Sequence, residues 1–342
     1  MNNLRLVEPM PKTLDRAAWH KPLVSIIITH HNYSLHLEDC LRSITDQTHA
    51  NWECVVVDDA SSDEERDIAK QLVERMGDPR FRFLALEENV GQIPAFFAGL
   101  DATRGEFVCP LDPDDRYAET FLAEMVAAHL NPIRAVPLIS CEQRLLRGDQ
   151  LISGVVTGHA AARQQADADD GRPTILHTDG PEYEDAPEWR HEKLVLRYFP
   201  PTDTKWRWSS TSGMMFRRPV LKALRPHRDL GYKGDLDAWL APGVHALGGS
   251  MFLNRPLLYR GIHGDNDWIW EDFWATSQRT KLPCRGAKVR ADAMEAIIAN
   301  GYELDLARAK RGKRTMAQRL RRSFAKRLDR FMGLMMEKGD GR

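Results

Sequence analysis

Over the first 130 residues, two kinds of apolar pattern alternate, and this alternation limits the fold more than any other feature of the chain. Residues 23–29 (LVSIIIT) form a continuous β-branched run. Residues 35–46 place Leu37, Cys40, Leu41 and Ile44 at helical spacing. Residues 52–57 predict a second strand, and 63–76 a helix with Ile68, Leu72 and Val73 on one face. A strand over 81–86, a helix over 92–103, a strand over 105–109 and a helix over 117–129 complete the series. Strands alternating with helices imply a mostly parallel central sheet flanked by helices. The crossovers of such a sheet are right-handed, and its ligands bind beyond the carboxyl ends of the strands.

That rule gathers polar residues into one crevice. The first strand runs into Thr29-His30-His31-Asn32, the second into Asp58-Asp59-Ala60-Ser61 and the fourth into Asp112-Pro113-Asp114-Asp115. Carboxylates crowded at such a mouth repel one another unless a hard cation neutralises them. Mg²⁺ and Mn²⁺ favour oxygen ligands, and Mg²⁺ is usually held by one or two carboxylates plus substrate phosphates. An acidic Asx-rich turn is the plain alternative for residues 112–115 taken alone.

The stretch VSIIITHHNYSLHLEDCLRSITDQTHANWECVVVDDASSD resembles the opening of glycosyltransferase family 2 enzymes, and ENVGQIPAFFAGLDATRGEFVCPLDPDD resembles their next block, which ends in the acidic DXD-type motif. The likeness runs continuously over about residues 22–130. It implies a GT-A fold with a Rossmann-like nucleotide-binding half and an acceptor-binding half. It also implies transfer of a sugar from a nucleotide-sugar, usually a UDP-sugar, with inversion, as hexosyl- or N-acetylhexosaminyltransferases do.

The same resemblance places Thr29 and His31 at the nucleobase, where the family usually has Pro and Tyr, and Asp59 as an acceptor from the base. Asp58 braces the loop. Gly91 falls where the family's loop passes the nucleotide, Asp114 near the ribose and the metal, and Asp115 at the Mn²⁺ or Mg²⁺ ligand. Phe96-Phe97 stand in place of a frequent Arg-Asn pair. Later, SSTSGMMFRRPVL (209–221) resembles the loop and strand before the acceptor region, with Ser212-Gly213 open to close approach. YKGDLDAWLAPGVHAL resembles the base-bearing helix, with Asp235 as general base and Asp237 in its first turn; a helix cap is the other role open to Asp235. LLYRGIHGDND resembles a late stretch in which His263 contacts the metal or diphosphate and Arg260 pairs with phosphate; a plain loop histidine is the alternative for His263. Trp206 or Trp208 would stack on a sugar or pack under the neighbouring chain.

The expected divisions are an N-terminal extension (1–21), the nucleotide-sugar half (22–135), the acceptor half (136–300) with an insertion around 142–208, and a basic tail (301–342). The acidic run 164–171 reads as a solvated loop, and the aromatic run 267–274 as core. Residues 308–342 carry 13 Lys or Arg against three acidic residues, a net of +10, with Met316, Leu320, Phe324, Leu328, Phe331 and Met335 at helical spacing. A helix of that kind can lie on an anionic membrane or dock on protein. The whole chain carries only −1, which gives no reason to expect nucleic acid as a partner.

Five scattered cysteines without metal spacing read as buried thiols of a cytoplasmic protein, and residues 1–20 lack the apolar core of a secretory signal. The sequence thus favours an inverting, metal-dependent glycosyltransferase of cell-surface polysaccharide synthesis, acting on a glycan or lipid-linked acceptor. The alternative is a nucleotide-binding scaffold of the same fold without turnover. A nucleotidyltransferase is disfavoured, because THHNYS stands where its Gly-rich phosphate loop would be.

Overall fold

Strand β1 (Val24–His30) is buried along almost its whole length, as a central parallel strand must be. The structure is a computed structural model that describes residues 21–130, 134–153, 174–175, 195–203, 206–263 and 285–302. The expectations for residues 1–20, 164–171 and 267–274, for Cys284 and for the basic tail from 308 onward lie outside the described residues.

From β1 the chain builds α1 (Leu37–Thr45), β2 (Trp52–Asp58), α2 (Asp63–Arg75), β3 (Phe81–Ala85), α3 (Gln92–Asp101), β4 (Phe107–Leu111), β5 (Arg116–Tyr117) and α4 (Phe121–His129). Helix α2 starts where its sequence provides for it. The Ser62 side chain accepts the Glu65 N–H, and Asp63, Glu64 and Glu65 face the positive end of the helix dipole. Next come β6 (Leu138–Arg147), β7 (Gln150–Ser153), β8 (Thr174–Ile175), β9 (Val195–Phe199) and β10 (Met214–Arg217). Helix α5 (Leu236–Gly248), β11 (Ser250–Gly261) and α6 (Arg285–Ala299) follow.

The strands join one sheet in the order β3-β2-β1-β4-β10-β6-β11-β9-β8. Strands β3, β2, β1 and β4 are mutually parallel, as the sequence predicts. Beyond β4 the sheet is mixed. β10 runs antiparallel to both β4 and β6, β11 is parallel to β6, and β5 and β9 pair antiparallel with β11. Within 142–208, the described residues of β6, β7, β8 and β9 join this same sheet.

The two faces hold two cores. Ile26, Ile28, Cys54, Val56 and Cys109 turn toward α1, α2 and α4. Ile27, Val55, Val57 and Val108 turn toward α3, α5 and α6. Phe96 and Phe97 belong to the second core, so α3 spends on packing the positions where the family often has polar residues. Cys40, Cys54, Cys109 and Cys141 are free and buried, and burial pushes their thiols up. No helix of the described residues is long and apolar enough to cross a membrane.

Candidate active site

The chain reverses its winding between β1 and β4. β2 lies on one side of β1 and β4 on the other, so a crevice opens at their carboxyl ends. Three non-glycine residues among those described have positive φ: Asn32 at 51°, Ala60 at 53° and Asp235 at 70°. The first two follow β1 and β2, and the third precedes α5. Left-handed backbone at such residues costs about 1–3 kcal/mol each and persists only where its surroundings enforce it.

The β1 and β2 ends are stitched together. The Asn32 N–H donates to Ser61 Oγ at 2.9 Å, and Asn32 Oδ1 accepts the Ser62 N–H at 2.8 Å. His30 and Asp58 are buried side by side, with Nδ1 and Oδ1 3.0 Å apart. Burial lowers the His30 pKa, and its Nε2 accepts the Tyr33 N–H, so the ring is neutral with its proton on Nδ1. Burial alone would raise the Asp58 carboxyl. Hydrogen bonds from Ser61, Arg66 and His30 outweigh it and hold the pKa below its ordinary value. Asp58 is thus the loop brace expected from the sequence.

Asp59 clamps the next loop. Its two oxygens accept the N–H groups of Val90 and Gly91, each at 2.8 Å. His31 is exposed beside it. Nδ1 donates to the Asp59 carbonyl at 2.9 Å, and Nε2 accepts from Asn89 Nδ2 at 2.9 Å. Thr29 is the second-to-last residue of β1, opposite Val57. Gly91 has φ +92° and touches the loop before α5, where an added Cβ would meet Lys233 Cα at 2.8 Å. Only glycine meets both conditions.

The acidic loop closes the other side. Asp112 Oδ1 accepts from Gln92 Nε2 at 3.1 Å, and its N–H donates to Ser212 Oγ at 3.0 Å. Asp115 is buried, and its Oδ1 accepts the Gly261 N–H at 3.0 Å. Gly261 lies so close to the loop that a Cβ would meet the Asp114 carbonyl at 2.3 Å. Asp114 turns outward to His263, with Oδ2 and Nε2 3.1 Å apart. The Tyr33 hydroxyl meets the same nitrogen, Nε2, and lies 3.0 Å from Nδ1, and the His36 ring centroid is 5.0 Å from that of His263. His36, Asp114, Arg116, Gly261 and His263 line one open cleft.

The electrostatics follow from crowding. Burial, then the Asp114 charge, raises Asp112 to about 7 and Asp115 well above the usual carboxylate range, and Arg260 opposes both rises. Burial also raises Asp237, again against Arg260; its Oδ1 accepts the Ala238 N–H at 2.6 Å. Asp235 takes the N-cap position of α5, yet its side chain makes no capping hydrogen bond. Carboxylate oxygens beside one imidazole, in mutual repulsion that a cation would relieve, fit a hard divalent ion. Among the described residues no group of three His, Cys, Asp or Glu forms a ready-made cage. Substrate phosphates would have to complete the coordination.

Three of the weaker acceptor candidates lie in the interior. Trp208 is buried, donates its indole N–H to Ser250 Oγ at 2.9 Å and packs edge-on against His245, so no face is left for a sugar ring. Ser212 and Gly213 are buried in a short 3₁₀ turn, and Ser212 braces the acidic loop instead of opening to an acceptor. Tyr33, His36, Asn89 and Gln92 hold the site together without having been singled out in the sequence. The one signal pointing to Asn89 and Gln92 is that they flank Gly91.

Residues 25–144 match the model of glycosyl transferase family 2. An uncharacterized glycosyltransferase of Nostoc sp. is 27% identical over 298 residues, 85% of this chain and 81% of its own. The putative teichuronic acid biosynthesis glycosyltransferase TuaG of Bacillus subtilis is 39% identical over 106 residues, 31% of this chain and 41% of its own. Among solved structures, S. aureus TarS 1–349 in complex with UDP superposes with a TM-score of 0.51 at 16% identity, covering 83% of this chain and 68% of that one. That likeness concerns the fold, which is GT-A. Residues 25–144 thus carry a glycosyl transferase family 2 domain, and the relatives that match this chain, one of them over most of its length, are glycosyltransferases.

Proposed function

We propose that the chain transfers a sugar, with inversion, from a nucleoside diphosphate-sugar to a hydroxyl of a glycan or lipid-linked acceptor in polysaccharide synthesis. The observation that carries this reading is the Asp114–His263 pair, 3.1 Å apart in an open cleft at the carboxyl ends of the strands. The nucleoside lies over the joined ends of β1 and β2, near Thr29, His31 and Asp59, with Gly91 giving its backbone room. UDP is the favoured nucleotide, since the TarS complex holds it on a similar fold. The likeness to TuaG, a putative teichuronic acid biosynthesis glycosyltransferase, supports a polysaccharide acceptor.

Asp114 and His263 would hold Mn²⁺ or Mg²⁺, with Asp115 behind them. When bound, the ion supplies positive charge to the departing diphosphate. Asp235 takes the proton of the acceptor hydroxyl as that oxygen attacks the anomeric carbon. Asp237, two positions further on, is the reserve candidate. Residues 308–342, with a net of +10, would bring the enzyme to anionic lipid. A chain ended at Tyr302 should then keep UDP binding and lose sedimentation with anionic vesicles.

A panel of nucleotide-sugars with Mn²⁺ present, scored by hydrolysis and by thermal protection, tests the reading. Protection together with turnover by one donor is expected. Protection without turnover by any donor, with or without acceptor glycans, would instead support a nucleotide-binding scaffold.

A further inference from the structure

Gln92, the first residue of α3, joins three parts of the site. Its backbone N–H donates to the Lys233 carbonyl at 2.8 Å. Its side-chain Nε2 donates to Asp112 Oδ1 at 3.1 Å, and its Oε1 accepts the Leu236 N–H at 3.4 Å. The partners dictate this orientation of the amide. A backbone N–H can only donate, so the oxygen must face Leu236 and the nitrogen the carboxylate.

The Leu236 N–H belongs to the peptide that follows Asp235. The other end of that peptide is also held, because the Asp235 carbonyl accepts the Trp239 N–H at 3.0 Å. Rotation about ψ of Asp235 would swing this peptide and break one bond or the other. The two bonds together therefore hold ψ of Asp235 at 37°, and with it the direction in which the side chain leaves relative to the helix start. Glutamine suits the position because it alone, among side chains of that length, donates at one atom and accepts at the other without charge. A glutamate would set a second negative charge against Asp112, and an aliphatic chain would leave both partners unmet.

We propose that Gln92 is a positioning residue for the transfer step, bridging the acidic loop to the Asp235–Leu236 peptide and so setting where the base stands relative to the donor. The inference rests on the reading of Asp235 as general base. Gln92 touches no reacting atom in this scheme and acts through Asp235.

The test is a double-mutant cycle of Gln92→Met with Asp235→Asn, assayed for transfer, for donor KM and for thermal protection by UDP. A displacement of order 1 Å can cost about 10²-fold in rate, so Gln92→Met should lower kcat by roughly 10-fold or more. Donor KM and UDP protection should stay within about two-fold, because the nucleotide contacts are elsewhere. In the Asp235→Asn background the same substitution should change transfer by less than about two-fold, because the group it positions is gone. A wild-type kcat in Gln92→Met, or losses that multiply in full, would overturn the proposal while leaving the base assignment standing. Wild-type transfer by Asp235→Asn alone would remove the base assignment, and this proposal with it. If Gln92→Met does not fold, the smaller Gln92→Ala enters the same cycle with the same expectations, since it too removes the acceptor for Leu236.

Discussion

The two halves of the molecule contribute to the site in different ways. The first half, β1 through α4, supplies its walls with the parallel strands β1 to β4, each joined to the next in sequence by a helix. The second half supplies the fasteners: the Lys233–Leu236 loop against Gly91 and Gln92, Ser212 under Asp112, and Gly261 and His263 against Asp115 and Asp114. The walls are recognisable alone, yet no functional group at the acidic loop is held by its own half only. The lesson is that a motif at a strand end is an incomplete site until distant backbone meets it.

The strongest way to break this comparison is at the acidic loop. Asp114→Asn should lower transfer on the order of 10³-fold, the equivalent of about 4 kcal/mol of lost charge stabilisation, with an unchanged melting temperature. Asp115→Ala should lose transfer too, but should also cost about 1–3 kcal/mol of stability, since the Gly261 N–H loses its acceptor. Full activity of either variant, or of the wild type in excess EDTA, would remove the metal assignment. Asp235→Asn comes next, with a kcat loss of roughly 10²-fold or more and unchanged UDP protection. If it transfers normally, the same measurement on Asp237→Asn decides the base.

Gly91→Ala strikes the seam itself. Its φ of +92° and the 2.8 Å approach of Lys233 Cα both oppose a side chain. A loss of about 1–3 kcal/mol in denaturant unfolding is expected, with weaker UDP binding. An alanine variant as stable as wild type would mean that the two halves are not locked at this point.

The smallest expected effect sharpens the electrostatic part. Asp112 has its folded pKa raised to about 7, above its unfolded value. Its contribution to stability is therefore fully present below about pH 4 and is lost as pH rises through 7. A cation offsets the repulsion that builds over that window. Thermal protection by Mn²⁺ should grow by a few degrees from pH 5 to pH 8. Protection that is flat or falls with pH would argue against an ion among these carboxylates.

Legibility divides along the same line. Strands β1, β2 and β4 are buried on both faces, so each reads as an unbroken apolar run, and the helices between them carry their own spacing and, in α2, their own cap. The order of β10, β6 and β11 in a mixed sheet depends on pairings between distant segments, which no local pattern records. Asp114, Asp115 and His263 stood out because charge at a strand end is unusual. Gln92 and Tyr33 did not, because an uncharged polar residue near a loop is ordinary until its partners, 144 residues away for Leu236 and 230 for His263, are known. Trp208 was ambiguous for a different reason: an indole serves equally well as core or as platform, and only its Ser250 partner decides.

The pairing of β11 with β5 has a consequence for how the protein is made. Leu258 and Tyr259 align with Tyr117 and Arg116, directly after the acidic loop, and Gly261 then caps Asp115 across 146 residues of chain. On a ribosome, residues 24–129 emerge with every local element they need and can begin to collapse while the rest is still being translated. The last partners of Asp114 and Asp115 leave the ribosome long afterwards. Closure over so long a loop is slow compared with local pairing. A nascent chain therefore has its nucleotide walls well before it has a finished acidic centre, and the centre matures only when translation has passed residue 263.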